Sequence, residues 1–199
     1  PYLAGARTNP QNDLTLEGVT TLYAGNQYEK RLALSRSGNL PFFWLAAWMT
    51  FLWGRKILGA LGAVFALLIF TMIPTVLAHS GLSTTDIGVT ACFAAAAYAA
   101  VRFAEEPALP TGLWLGVALG LMILSKFSSL AYYPVAAAFA LAIWIHTARP
   151  SWKDLQGIFM QRLPWLAAAS ISSFFVIWAG YRFSFGRAAG LSFRVPFAG

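Results

Sequence analysis

Long uncharged runs separated by short charged breaks constrain this chain more than any other feature. The runs occupy 37–54, 57–78, 87–101, 111–125, 127–148 and 163–181. The first counts 18 residues and the second 22, and none carries a formal charge. About 20 apolar residues in a helix cross the ~30 Å hydrocarbon layer of a bilayer. The pattern therefore predicts an all-α, polytopic transmembrane helical bundle of about six spans over residues 37–181. Residues 1–36 form an extracytoplasmic juxtamembrane segment in this reading, and residues 182–199 begin another.

Composition supports the membrane reading. Only 11% of the 199 residues are charged, against 58% hydrophobic and 16% aromatic, with eight Trp. A soluble domain of this length carries about twice that charged fraction, and Trp gathers at membrane interfaces. Cys92 is the sole cysteine, so neither a disulfide framework nor a cysteine-based metal site forms within the chain. The net charge of +7 points to lipid headgroups or phosphate-bearing substrates rather than nucleic acid. The chain starts at Pro1 with no basic leader, and it is expected to be the middle of a longer membrane protein.

Along the chain, Asn9-Pro10 and Gly25-Asn26 mark turns. Tyr28 to Arg36 is a helix candidate, either a solvated loop helix or one lying flat on the headgroups. Arg55-Lys56 separates the first two runs, and Pro74 stands near the end of the second. Gly112, Gly116 and Gly120 recur every four residues, which places them on one helix face as a small-xxx-small packing stripe. Six spans put the breaks at 54–56, 102–110 and 149–162 on one face and those at 79–86 and 125–127 on the other. The first face holds Arg55, Lys56, Arg102, Arg149, Lys153 and Arg162, so the positive-inside rule makes it cytoplasmic. His79 to Asp86 then lies outside, although both tails on that side also carry arginines.

The outer face holds the chemistry-bearing side chains. Asp86 is the one carboxylate in an interhelical break there. Its position after Ser83-Thr84-Thr85 and before an apolar run suits a helix cap stabilised by the dipole, and equally suits catalysis or ligand contact. His79 suits a proton carrier, a metal ligand or simply a hydrogen-bonded interfacial histidine. Lys126 either snorkels to headgroups or binds a phosphate. His146, at the other face, has no assigned role. No Walker A loop, dinucleotide-binding glycine loop, His-Glu-x-x-His or Gly-x-Ser-x-Gly sequence is present.

Arg36, Trp53 to Gly59, and above all Pro74-Thr75-Val76-Leu77-Ala78-His79-Ser80-Gly81-Leu82-Ser83-Thr84-Thr85-Asp86 resemble the dolichyl-phosphate-mannose-protein mannosyltransferase-like group. These are glycosyltransferases of family 39 with the GT-C fold, to which the lipid A aminoarabinose transferases are related. Gly116 to Ser128 looks like the group's glycine-rich helix ending in a lysine, and Gly180-Tyr181-Arg182-Phe183 like its exit from a later span. The resemblance, over about 28–185, implies transfer of a sugar from a polyprenyl-phosphate donor to a protein or glycan acceptor. It places that reaction on the non-cytoplasmic face of the inner (plasma) membrane. It implies Asp86 and His79 as catalytic residues, with Lys126, Arg36 and Arg182 binding substrate phosphate.

The family's principal acid, an Asp-Glu pair in the first outer loop, has no counterpart among Asp13, Glu17 and Glu29. The isolated 199 residues are therefore expected to be inactive. No cofactor or metal site is expected, a divalent cation being left open. The competing readings are a transporter or lipid flippase core, against which stands the lack of inverted repeats of broken helices, and a membrane subunit without chemistry.

Overall fold

The reversal of the chain at Gly59 organises the first third of the molecule. The computed structural model describes residues 22–23, 27–82 and 85–181. Within them lie seven helices and no strand: α1 (Tyr28–Ser37), α2 (Leu40–Met72), α3 (Pro74–Gly81), α4 (Asp86–Glu105), α5 (Leu109–Ser125), α6 (Ser129–Ala148) and α7 (Trp152–Gly180).

α2 is broken at Gly59, which sits at φ 78° and ψ −173°. That conformation is essentially closed to residues with a Cβ. The helix folds back there into two arms. Gly54 lies so close to the returning arm that a Cβ would sit 2.9 Å from the Cα of Ala63. Phe43 stacks on Phe70 at 6.3 Å, ring centre to ring centre, so the arms run antiparallel along their length. The two runs expected at 37–54 and 57–78 are these two arms. The second stops at Ile73, whose extended backbone (ψ 118°) is what a following proline imposes. Pro74 then starts α3.

Around this hairpin the helices pack in sequence. Ala46 of α2 meets Ile87 and Ala91 of α4; Cys92 and Ala96 of α4 meet Met122 of α5; Phe103 and Leu115 meet Ala169 of α7. Small side chains dominate these contacts, as expected where close backbone approach holds helices together in lipid.

The glycine stripe of α5 faces α7. A Cβ on Gly112 would lie 2.7 Å from the Trp165 carbonyl, one on Gly116 would overlap Ser172 Oγ and the Ala169 carbonyl, and one on Gly120 would press on Val176. The packing role read from the four-residue spacing is the one observed.

Among the described residues, four helical stretches are long and apolar enough to cross a membrane: Tyr28–Met72, Asp86–Glu105, Ser129–Ala148 and Trp152–Gly180. Leu109–Ser125 is a shorter apolar helix, and the Gly59 reversal divides the first stretch in two. The chain is a multi-pass integral membrane protein built as a helical bundle.

Two details depart from the sequence reading. Residues 152–162, expected to be a polar loop, form the first three turns of α7. Ser151 caps them, its Oγ accepting from the Asp154 N–H at 3.3 Å while its own N–H donates to Asp154 Oδ2 at 2.9 Å. The Ser151 hydroxyl also donates to Asp154 Oδ2 at 2.7 Å, which closes the capping box. In addition, α6 stands almost alone, since beyond Ser129 and Tyr133 its residues are exposed.

The bundle has two chemically distinct ends. At one, Lys56 pairs with Glu105 at 2.6 Å, Arg102 with Glu106 at 2.9 Å, and Arg162 donates to the Ala104 carbonyl at 2.7 Å. The other gathers the end of α1, the ends of α3 and α5, and the starts of α4 and α6. The sorting of breaks into two faces thus holds in the fold.

Candidate functional site

Three helix ends deliver three charged or titratable side chains to one point. Asp86 is the first residue of α4, His79 lies in the last turn of α3 and Lys126 follows the last residue of α5. Lys126 Nζ stands 3.4 Å from Asp86 Oδ1, and His79 Nδ1 stands 3.5 Å from Asp86 Oδ2. The three side chains are each a little under half exposed.

The two contacts differ in kind. Lys126 makes a long, charge-assisted hydrogen bond. His79 is an electrostatic neighbour of the carboxylate and makes no hydrogen bond to it. Its Nδ1 is shielded from solvent yet has no hydrogen-bond partner among the described residues. An ion pair this exposed contributes about 0–1 kcal/mol. A ligand phosphate therefore meets little resistance in drawing Lys126 away.

Local sequence explains the convergence. Thr85, not Asp86, is the N-cap of α4, and it makes no side-chain cap hydrogen bond. The capping role read from the Ser-Thr-Thr-Asp order is corrected accordingly. Asp86 gains only the favourable dipole of the first turn, and its oxygens are turned to His79 and Lys126. Ser83 and Thr84 lie outside the described residues. His79, expected in a loop, sits on a helix, because α3 continues to Gly81.

Lys126 is positioned by a tight turn. The Ser129 N–H donates to its carbonyl at 3.0 Å, and the buried Ser129 hydroxyl donates back to Met122 at 3.1 Å. Nothing in the sequence pattern singles out Ser129 for these bonds.

Arg36, in the last turn of α1, belongs to the same end of the bundle, where α1 rests against α3. Its side chain is exposed. α7 also finishes at this end: Leu124 occupies the place a Gly180 Cβ would take. Arg182 follows two residues later, outside the described residues. His146 is carried to the opposite end by α6. Among the described residues no three His, Cys, Asp or Glu side chains gather as metal ligands.

Asn39 is a residue of this end that sequence reasoning missed. It stands at the start of α2 but makes no side-chain bond to that helix; its Nδ2 donates to the Leu82 carbonyl in the connection between His79 and Asp86. A lone asparagine between two helices signals a turn, and nothing local announces a partner 43 residues away.

The sequence profile of the dolichyl-phosphate-mannose-protein mannosyltransferase family matches residues 42–178. The chain belongs to that family. The match covers every helix from α2 through almost all of α7, and so takes in His79, Asp86 and Lys126. Arg36 and Arg182 fall outside it. No curated protein and no solved structure matches the chain. Membership in this mannosyltransferase family makes the bundle that of a membrane glycosyltransferase, with a GT-C-like arrangement.

Proposed function

We propose that this mannosyltransferase-family chain moves a sugar from a polyprenyl-phosphate donor to a protein or glycan acceptor on the non-cytoplasmic side of the membrane. Asp86 takes the proton of the acceptor hydroxyl. The acceptor oxygen attacks the anomeric carbon from the face opposite the phosphate, and the bond from that carbon to the phosphate oxygen breaks with inversion. Lys126 and Arg36 stabilise the departing polyprenyl phosphate, a role that sequence resemblance extends to Arg182. His79 lines the same site beside the carboxylate.

The observation that carries this reading is the meeting of His79 and Lys126 on the single carboxylate of Asp86. The site combines one carboxylate with a lysine and a histidine at one end of an apolar helical bundle. A lipid-linked donor reaches such a place through the bilayer without any nucleotide site.

The test uses membranes containing the protein with whatever flanking sequence its gene encodes. Asp86→Asn keeps the shape of the side chain and removes its basicity; Asp86→Ala removes both. Transfer from a polyprenyl-phosphate-linked sugar is expected to fall about 10²- to 10⁴-fold in both, with membrane levels unchanged. Wild-type transfer by both variants, correctly folded, would overturn the role of Asp86.

A further inference from the structure

We infer that Asn39 is the positioning residue of this site. By donating to the Leu82 carbonyl it ties the start of α2 to the connection between His79 and Asp86, and so sets the separation of those two side chains. The inference rests on the site proposed above and adds a residue that does not itself touch the reacting groups.

Asn39 occupies the turn between α1 and α2, where its own N–H donates to the Arg36 carbonyl at 3.0 Å and its carbonyl accepts from Phe43 at 3.0 Å. The backbone of this turn is thus satisfied without the side chain. The side-chain amide is spent across the bundle instead, on the residue that ends α3.

Among the described residues, Val76 packs the middle of α3 against Ala46, Ile87 and Ala91, whereas its Leu82 end rests on the Asn39 amide. His79 is presented by an eight-residue helix that begins after the break at Ile73, and Leu82 is exposed. Beyond the connection, Asp86 is firmly placed, because Ile87 packs with Ala46 and Phe42 of α2, and Phe42 also covers Gly88. The start of α2 therefore grips α4 through packing and the end of α3 through one amide. It also carries Arg36 one turn earlier. Loss of the amide frees the His79 side while Asp86 stays, which alters geometry at the carboxylate without unfolding the bundle. A 1 Å displacement of a reacting group is enough to cost about a hundredfold in rate.

Asn39→Asp separates tether from turn. Aspartate suits a helix start as well as asparagine, but an ionised carboxylate has no proton to donate to a carbonyl. In Asn39→Asp and Asn39→Ala, hydrogen exchange in peptides covering residues 79–86 is expected to quicken about tenfold, with exchange in α2 and α4 unchanged. For sugar transfer, kcat is expected to fall about tenfold while the donor KM stays within about threefold. Should Asn39→Asp fail to accumulate in membranes, Asn39→Gly, which is tolerated at a helix start and has no side-chain donor, supplies the same readouts.

Wild-type exchange over 79–86 in Asn39→Asp overturns the inference, as does a loss restored by Asp but not by Ala, which would make Asn39 a helix-start residue only. The exchange measurement needs no activity. A failure of the Asp86 reading is therefore distinguishable from a failure of this one.

Discussion

At the scale of single residues, Asp86 combines a helix-terminal position with two cationic or titratable neighbours and no capping bond of its own. Lys126 is held to it by a contact too exposed to matter much for folding. Lys126→Met is accordingly expected to change thermal stability by no more than about 1 kcal/mol, while raising the donor KM; a melting curve on purified protein and initial rates against donor concentration check the two parts. An unchanged KM would remove Lys126 from phosphate binding. The residue types were legible in sequence because a lone acid and lone bases in an apolar chain are conspicuous. Their meeting was not, since His79 and Lys126 are 47 positions apart and only the packing of α3, α4 and α5 closes that gap. The capping reading of Asp86 failed for a local reason. Helix starts depend on backbone angles, and here Thr85 already lies in the helical region (φ −82°, ψ −3°), so the boundary falls one residue earlier than the polar run suggests.

At the scale of elements, glycine decides two features in different ways. Gly59 needs its backbone conformation, so Gly59→Ala is expected to cost about 1–3 kcal/mol, visible as a lower melting temperature and faster exchange at the tip of the hairpin. Gly116 needs space. A side chain there collides with Ser172 and the Ala169 carbonyl, and backbone atoms do not yield as a flexible side-chain tip would. Gly116→Val is expected to part α5 from α7 and to destabilise by about 1–3 kcal/mol or more; proximity cross-linking between the two helices reports it. The four-residue glycine spacing was legible because period alone places residues on a face. The sharp return at Gly59 was legible only as a break at Arg55-Lys56, because which nearby glycine turns the chain depends on how the arms pack. The early start of α7 was missed although Ser151 and Asp154 stand at capping-box spacing. Ser151→Ala is expected to cost about 1 kcal/mol of that start, seen as faster exchange across 152–156.

For the whole molecule, the two ends use charge differently. At one, Lys56, Glu105, Arg102 and Glu106 pair among themselves and fasten the hairpin to α4. At the other, opposite charges meet at longer range around Asp86. The apolar helices and the gathering of charged breaks at two ends were legible from run length and composition; of the about six spans expected, four helical stretches among the described residues are long and apolar enough to cross a membrane. The solitude of α6 was not, because its composition matches that of its packed neighbours and only the fold shows which surfaces stay uncovered.

That solitude has a mechanical consequence. α6 is pinned at one end, where Ser129 bonds Met122, Tyr133 Oη donates to the Ala96 carbonyl at 3.3 Å and the Tyr133 ring meets Phe93, and is free over the remaining turns. A helix of its 20 residues is about 30 Å long, and it meets a thinner bilayer by tilting. The pinned end lies three residues from Lys126, so tilting displaces the far end of α6 most and the neighbourhood of Asp86 least.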